Sequence, residues 1–366
     1  MEIFRLSFMR HSVKKAVTAS RWGRNDMRRN WDLPRGEVQR LEVDSRALAG
    51  NLLGDQTRRE LPVYLPPGYR AEDHLPLLVD LVGFTGSGQS HVNWKNFGEN
   101  APERLDRLIG EGRMPPVAVA FPDCFSRLGG NQYINSAAIG RYDDYLLQEV
   151  VPLVEDRFKV GGPGRRGVFG KSSGGYGAII HAMRHADFWA AAACHSGDMA
   201  FELCYLADLT KVLTELRLQH GGSIERFIRH FEAALKPAEK DMTVLNFLAM
   251  AASYDPDPTQ FLGIRLPADP ETAELMPERW ANWLAHDPAV LVESTAANLK
   301  QLKALYIDCG DRDQFHLVFG ARRLHRALTR LDVAHRYEEF PDDHSSVDYR
   351  MDESLPFLAR ALSGAP

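Results

Sequence analysis

Short apolar runs bounded by turn residues recur along most of the chain and alternate with segments of helical periodicity. Runs that are apolar throughout are typical of strands buried on both faces, as in a parallel sheet covered by helices. Such runs lie at residues 77–82, 117–121, 167–169, 190–194 and 304–307. Helical patterns lie between them at residues 141–158, after Gly174, and at residues 317–331. This alternation predicts an α/β fold on a mostly parallel, twisted sheet with helices on both faces.

The N-terminal part of the chain shows two different patterns. Residues 1–35 have weak periodicity and many charges, so we expect an irregular arm there. Its basic residues are interspersed with acidic ones, which favours a solvated tail. These basic residues are Arg21, Arg24, Arg28 and Arg29. Residues 37–43 and 59–65 alternate at period two, and we expect them to open the sheet as an antiparallel pair. A single domain over residues 36–366 follows the arm.

One long segment interrupts the alternation of strands and helices. Residues from about 200 to about 297 contain helical stretches, including an amphipathic one at 223–235, and no convincing strand. An insertion that follows a sheet strand is placed to cover a site at the sheet edge, although a purely structural elaboration is the alternative. Its aromatic residues could line a pocket, but aromatics at such spacing more often form core. They are Phe201, Tyr205, Phe247, Phe261, Trp280 and Trp283.

Composition excludes several classes of protein. Apolar residues make up 44% of the chain and charged residues 25%, which is ordinary for a globular protein. The net charge of -5 argues against nucleic acid or an anionic membrane as partner. No apolar stretch approaches the roughly 20 residues that span a bilayer, and no signal peptide is recognisable. Four cysteines without paired metal-ligand spacing indicate neither a disulfide scaffold nor a zinc site. We therefore expect a cytoplasmic protein without metal or cofactor, whose oligomeric state the sequence leaves open.

The strongest chemical signal is Gly170-Lys171-Ser172-Ser173-Gly174, which lies between an apolar strand and an Ala/Ile-rich helical segment. Gly-x-Ser-x-Gly in this context predicts a nucleophile elbow, a strained strand-to-helix turn that exposes a serine hydroxyl above the sheet. Ser172 occupies the apex. Ser173 is the rival, but one residue past the apex its backbone N–H, not its hydroxyl, is expected to serve.

A nucleophilic serine needs a base and an acid to orient that base. The order Ser, acid, His is expected after an elbow. The strand at 304–307 runs into a loop with three acids, of which Asp313 lies beyond Gly310 and is our choice. Asp311 is the runner-up, and Asp308 is closer to the strand and expected to be structural. His344 falls in the loop after a last strand at 336–340. His91, His195 and His316 are worse placed for a base.

A glycine-rich loop, Gly83-Phe84-Thr85-Gly86-Ser87-Gly88, follows the first buried strand. Glycines let backbone N–H groups turn toward a substrate oxygen, so the loop predicts one half of an oxyanion hole. The expected donors are the amides of Phe84 and Ser173. An ordinary glycine loop or a phosphate cradle is the alternative, but the loop does not match the P-loop pattern.

Together these residues resemble the putative-esterase family of α/β-hydrolases, which includes esterase D, enterochelin esterases, feruloyl esterases and mycolyltransferases. The resemblance covers about residues 37–362. Its motifs are Val63-Tyr64-Leu65-Pro66-Pro67-Gly68-Tyr69, Phe121-Pro122-Asp123, Gly170 to Gly175, Asp308 to Asp313, and His344-Ser345. It implies the α/β-hydrolase fold with Ser172, Asp313 and His344 as a catalytic triad. Many members carry His-Gly where this chain has Val82-Gly83, which puts the identity of the first oxyanion donor in question.

The expected function is therefore hydrolysis of a small-molecule carboxylic ester through an acyl-enzyme intermediate. Acyl transfer to an alcohol and thioester or peptide hydrolysis use the same triad and stay open as alternatives. A non-catalytic binding module on a hydrolase scaffold is a further alternative. The acyl and alcohol groups of the substrate are not readable from the residues.

Overall fold

A computed structural model describes residues 32–364. The proposed irregular arm therefore lies almost wholly outside the described residues. Within residues 32–364, no helix combines the length and the apolar character that crossing a membrane requires.

An eight-stranded sheet in the order β1-β2-β4-β3-β7-β8-β9-β10 forms the centre of the molecule. Its strands are β1 (Glu37–Asp44), β2 (Arg58–Leu65), β3 (Leu77–Leu81), β4 (Ala118–Ala120), β7 (Arg166–Lys171), β8 (Ala191–His195), β9 (Ala304–Gly310) and β10 (Arg336–Phe340). A separate two-stranded ribbon consists of β5 (Asn135–Ser136) and β6 (Gly140–Arg141).

The strand directions confirm the pattern expected from the sequence. β1 pairs with β2, and β2 with β4, in antiparallel fashion. The other neighbours in the sheet, in the order β4-β3-β7-β8-β9-β10, pair in parallel. All the apolar runs became parallel strands because each is buried on both faces. Since parallel strands end at the same edge, the loops after β3, β7, β8, β9 and β10 share one side of the sheet.

Thirteen α-helices occur in the described part of the chain. They are α1 (Gly88–Val92), α2 (Ala101–Gly110), α3 (Tyr142–Asp144), α4 (Val151–Phe158), α5 (Ser173–Arg184), α6 (Phe201–Cys204), α7 (Leu206–His220), α8 (Ile224–Ala233), α9 (Glu239–Tyr254), α10 (Pro277–Leu284), α11 (Pro288–Leu299), α12 (Leu317–Arg330) and α13 (Met351–Ser363). A π-helical stretch, Tyr145–Val150, joins α3 to α4, so the helix predicted at 141–158 is confirmed with a local change of pitch.

The two faces of the sheet carry separate cores. Alternate residues of one strand point to opposite faces, so Val79 packs in the larger cluster and its neighbour Leu78 in the smaller. The larger cluster includes side chains of α4, α5 and α12, and the smaller one those of α2 and α13. The expected three layers, with helices on both faces of the sheet, are therefore present.

The segment at 200–297 is helical, as its periodicity predicts. The structure describes all of it and assigns helices α6 to α11 and loops, with no strand. Its last helix, α11, packs against α5 and α12 and so belongs to the layer beside the sheet. The helices before it include α7, against which both α8 and α9 pack. We call residues 201–284 the helical segment below.

Aromatic side chains of the helical segment form core, in agreement with the more conservative expectation. Phe201, Phe247 and Trp283 are fully buried, and Tyr254 packs between Phe201 and Trp283. Of the six aromatics named from the sequence, Tyr205 alone also lines the cavity described next.

Candidate active site

Ser172 stands at a sharp turn between β7 and α5. Its backbone dihedrals, φ 59° and ψ −125°, are strained for a residue that carries a Cβ atom. The flanking glycines make the turn possible. A Cβ on Gly174 would lie 1.8 Å from the Leu81 carbonyl oxygen, and one on Gly170 would lie 2.3 Å from the same atom. The Gly-x-Ser-x-Gly pattern therefore reflects close backbone packing between β3 and the turn.

Two backbone hydrogen bonds hold the turn in place. The Ser172 N–H donates to the His195 carbonyl oxygen at 2.9 Å, and the Tyr176 N–H donates to the Ser172 carbonyl oxygen at 2.8 Å. The first bond joins the turn to the end of β8, and the second begins helix α5. The Ser172 side chain is left partly exposed at the carboxyl edge of the sheet.

His344 and Asp313 form a buried pair in the loops that follow β10 and β9. His344 Nδ1 lies 2.7 Å from Asp313 Oδ2, and the Asp313 side chain is fully buried. The other carboxylate oxygen of Asp313 accepts a hydrogen bond from the Phe315 N–H at 2.9 Å. The Phe315 ring meets the His344 ring edge to face, with 4.9 Å between their centroids. These contacts fix the carboxylate and leave Nε2 as the free nitrogen of the imidazole.

The two other acids after β9 are placed differently. Asp311 is exposed, and its carboxylate lies 3.4 Å from the Arg312 side chain. Asp308 is buried within the strand and contacts His195 Nδ1 at 2.7 Å. His195 Nε2 in turn contacts the Ser354 hydroxyl at 2.8 Å, so a second Ser-His-Asp array lies inside the fold. All three of its residues are at most 2% exposed, which separates this array from any substrate.

A cavity of about 520 Å³ brings the residues chosen from the sequence together. Ser172 and His344 line it, and so do Phe84 and Ser173. Asp313 is not among its lining residues and lies behind His344. A volume of this size is typical of sites for small molecules.

The glycine-rich loop after β3 lies against the serine turn. A Cβ on Gly83 would approach the Ser172 Cβ to 3.3 Å. Phe84 is held in place from its other side, because its carbonyl oxygen accepts a hydrogen bond from the Gly130 N–H at 2.5 Å. Ser173 is the first residue of α5, so its N–H belongs to the helical turn that lacks intrahelical acceptors. Both residues proposed to supply the amides of an oxyanion hole thus line the cavity.

Several residues that line the cavity were given no role from the sequence, and among them Asp198 and Lys171 carry shifted pKa values. Asp198 follows β8 by three residues, and burial raises its pKa to about 6. Lys171 precedes the serine, and burial lowers the pKa of its amine. Their position at the carboxyl ends of parallel strands was a usable signal, since ligands of open α/β sheets gather at that edge. Their proximity to the cavity depends on packing that periodicity does not reveal.

One cluster among the described residues has metal-ligand types within reach of one another, namely Asp143, His181 and His185. It does not fit a metal. The Trp189 indole N–H donates to His181 Nδ1 at 3.1 Å, so Nε2 carries the proton and donates to the Tyr133 carbonyl oxygen at 2.8 Å. His181 therefore has no free lone pair for an ion.

The parallel sheet, the strained serine turn and the Asp-His pair at one edge define the α/β-hydrolase class. The model of the family described as Putative esterase matches residues 55–352, which is most of the chain. The chain therefore belongs to that family and is an esterase.

Solved structures with this fold include three enzymes that the chain covers almost completely. An S-formylglutathione hydrolase from Agrobacterium tumefaciens aligns with a TM-score of 0.56 at 17% identity, over 89% of this chain and 96% of the other. A fluorophosphonate-binding serine hydrolase from Staphylococcus aureus aligns with a TM-score of 0.54 at 19% identity, over 90% of this chain and 98% of the other. A ferulic acid esterase from Anaeromyces mucronatus, in complex with ferulic acid, aligns with a TM-score of 0.52 at 13% identity, over 91% of this chain and 93% of the other. At these identities the likeness establishes the fold.

Proposed function

We propose that this protein hydrolyses small-molecule carboxylic esters through an acyl-enzyme on Ser172, with His344 as general base and Asp313 as the acid that orients it. The observation that carries the proposal is the 2.7 Å contact between His344 Nδ1 and Asp313 Oδ2, which leaves Nε2 free on a histidine that lines the same cavity as Ser172. The order of the three residues along the chain is the one that this fold uses.

The first half of the reaction forms the acyl-enzyme. His344 Nε2 takes the Ser172 proton as Oγ attacks the ester carbonyl, and the Asp313 carboxylate stabilises the imidazolium that results. His344 then gives this proton to the leaving alcohol. In the second half, His344 removes a proton from water, which attacks the acyl group and releases the acid.

The negative charge that develops on the carbonyl oxygen needs donors that are already in place. The amides of Phe84 and Ser173 would supply them from the two walls of the cavity, and one such donor is worth about 10²–10³-fold in kcat. Because both donors are backbone groups, Val82 in place of histidine before Gly83 leaves them available.

Labelling with a fluorophosphonate tests the nucleophile. We expect stoichiometric modification on Ser172, located by peptide mass spectrometry, and none in Ser172→Ala. Ser354→Ala is the matched control, because Ser354 also contacts a histidine that contacts an aspartate but is fully buried. Labelling of Ser172→Ala at another serine would contradict the assignment, as would unlabelled wild-type protein.

Product analysis separates hydrolysis from acyl transfer and thioester cleavage. With 4-nitrophenyl acetate and added methanol, we expect free acetate as the main product. Predominant methyl acetate would instead indicate an acyltransferase. A matched oxygen ester and thioester of the same acid, compared by kcat/KM, would identify a thioesterase if the thioester were strongly preferred beyond its intrinsic reactivity.

A further inference from the structure

Asp198 is a buried acid in the cavity wall that the proposed reaction does not use. It lies in the loop after β8, is 7% exposed, and lines the same cavity as Ser172. Within the described residues it forms no salt bridge, so no lysine or arginine neutralises it. A buried carboxylate without a cation is costly unless hydrogen bonds offset the cost of its burial.

One oxygen of Asp198 is fully occupied. Oδ2 accepts hydrogen bonds from the Tyr205 hydroxyl at 2.9 Å and from the Ser173 hydroxyl at 3.4 Å. The direction of the second bond is set by Gln132, whose Nε2 donates to Ser173 Oγ at 2.8 Å. Gln132 is itself oriented, since its Oε1 accepts from the Tyr254 hydroxyl at 3.1 Å. The network holds the carboxylate in one orientation.

The other oxygen is free. Oδ1 of Asp198 has no hydrogen-bond partner among residues 32–364, and it is not among their solvent-inaccessible unpaired atoms. Since the residue lines the cavity, this oxygen is open to whatever the cavity holds. The structure thus presents a fixed acceptor, held by the hydroxyl of the residue that follows the nucleophile.

We propose that Asp198 Oδ1 selects esters that carry a hydrogen-bond donor, a hydroxyl or an ammonium group, close to the scissile carbonyl. This inference rests on the proposed function and specifies its substrate. A hydroxyl or ammonium satisfies the free oxygen, whereas an alkyl group leaves it desolvated and unpaired. A carboxylate at this position would be repelled. The proposal therefore disfavours esters with an anionic group next to the reacting bond.

Esters of equal size test the preference. Ethyl propionate, ethyl glycolate and ethyl glycinate differ only in a methyl, hydroxyl or ammonium group on the acyl side. Propyl acetate and 2-hydroxyethyl acetate make the same comparison on the alcohol side. We expect a kcat/KM advantage of at least about tenfold for the donor-bearing ester on one side, the size of one charge-assisted hydrogen bond. Hydrolysis is followed by pH-stat titration at pH 7, where the amine of the glycinate ester is mostly protonated and each turnover releases about one proton.

The variant Asp198→Asn makes the test specific. Its carbonyl oxygen can still accept from Tyr205 and Ser173, which turns the amide NH₂ toward the cavity. The advantage of the donor-bearing ester should therefore fall at least about fivefold relative to wild type, and most for an ammonium, which has no lone pair to accept from NH₂. Ratios between variant and wild type cancel the intrinsic reactivity of each ester. Asp156→Asn changes a carboxylate that is paired with Lys159 and does not line the cavity, so it is the matched control and should keep the wild-type ratio.

The possible outcomes separate this inference from the proposed function. If wild-type protein hydrolyses all five esters without preference, or Asp198→Asn keeps the wild-type ratio, the role of Asp198 is refuted while the esterase mechanism stands. If none is hydrolysed and fluorophosphonate does not label Ser172, the proposed function itself fails. If Asp198→Asn does not fold, Tyr205→Phe removes one bond that orients the carboxylate and should reduce the preference; an unchanged ratio there would refute the proposal.

Discussion

Replacing Ser172 by glycine is expected to give a more stable protein than replacing it by alanine. Both variants remove the hydroxyl, so they differ only in the Cβ atom and in backbone freedom. With φ 59° and ψ −125°, alanine keeps the strain of the turn and glycine releases it. Strain of this kind costs about 1–3 kcal/mol. Glycine also increases the conformational entropy of the unfolded chain, which lowers the free energy of unfolding by about 0.4–1 kcal/mol. The net advantage of glycine should be about 1 kcal/mol.

Urea denaturation followed by tryptophan fluorescence measures this difference, because both variants share the same m-value if the fold is unchanged. The same pair of substitutions at Ser173 is the control. Ser173 is helical, so glycine there should be less stable than alanine by about 0.5–1 kcal/mol. A Ser172→Gly variant that is less stable than Ser172→Ala would show that the turn is not strained, and the physical basis of the elbow would fail.

Three further predictions concern the acids and the buried array. Asp313→Asn should lower kcat about 10⁴-fold through loss of the correct His344 tautomer, whereas Asp311→Asn should stay within about twofold; equal losses in steady-state assays would refute the choice of acid. Burial raises the pKa of Asp198 from 3.8 to about 6, so the native state binds this proton more tightly than the unfolded state does. The contribution of Asp198 to the free energy of unfolding of the wild type therefore falls as the pH rises from 4 to 6. The free energy of unfolding of Asp198→Asn minus that of the wild type should therefore be about 1.4 kcal/mol larger at pH 8 than at pH 5, as measured by urea denaturation. A difference that does not change with pH would contradict the raised pKa of Asp198. Ser354→Ala should cost about 1–3 kcal/mol of stability through an unpaired His195 nitrogen, with kcat unchanged; a large loss of kcat would assign the buried array a part in catalysis.

Much of the fold could be predicted because the signal is local. A strand buried on both faces is apolar throughout, and this property alone located β3, β4, β7, β8 and β9. The elbow was also readable, because Gly-x-Ser-x-Gly is a short contiguous motif, even though the Leu81 carbonyl that requires Gly170 and Gly174 comes from the distant strand β3. The position of His344 followed from counting strands.

What could not be predicted depends on contacts between distant parts of the chain. Asp198 has a fixed orientation at the cavity because the junction between α6 and α7 supplies Tyr205 and the chain near β5 supplies Gln132. Neither contact produces a periodic pattern in the amino-acid sequence. The aromatic residues of the helical segment were ambiguous for the same reason, since a buried aromatic and a pocket-lining one occupy the same helical spacing. Only packing separates Phe247, which is core, from Tyr205, which reaches the cavity.

The two Ser-His-Asp arrays show what makes one of them a candidate active site. Each has a His Nδ1 that lies 2.7 Å from a carboxylate, so the contact between histidine and acid does not distinguish them. The two arrays differ in where their residues lie relative to the strands. Asp308 lies inside β9 and His195 ends β8, so both point into packed layers, whereas Asp313 and His344 lie in loops beyond the strands. The buried array still bears on the site, because the His195 carbonyl holds the Ser172 N–H. A structural array thus anchors the strained turn, and only the loops past the sheet edge bring the same chemistry to a substrate.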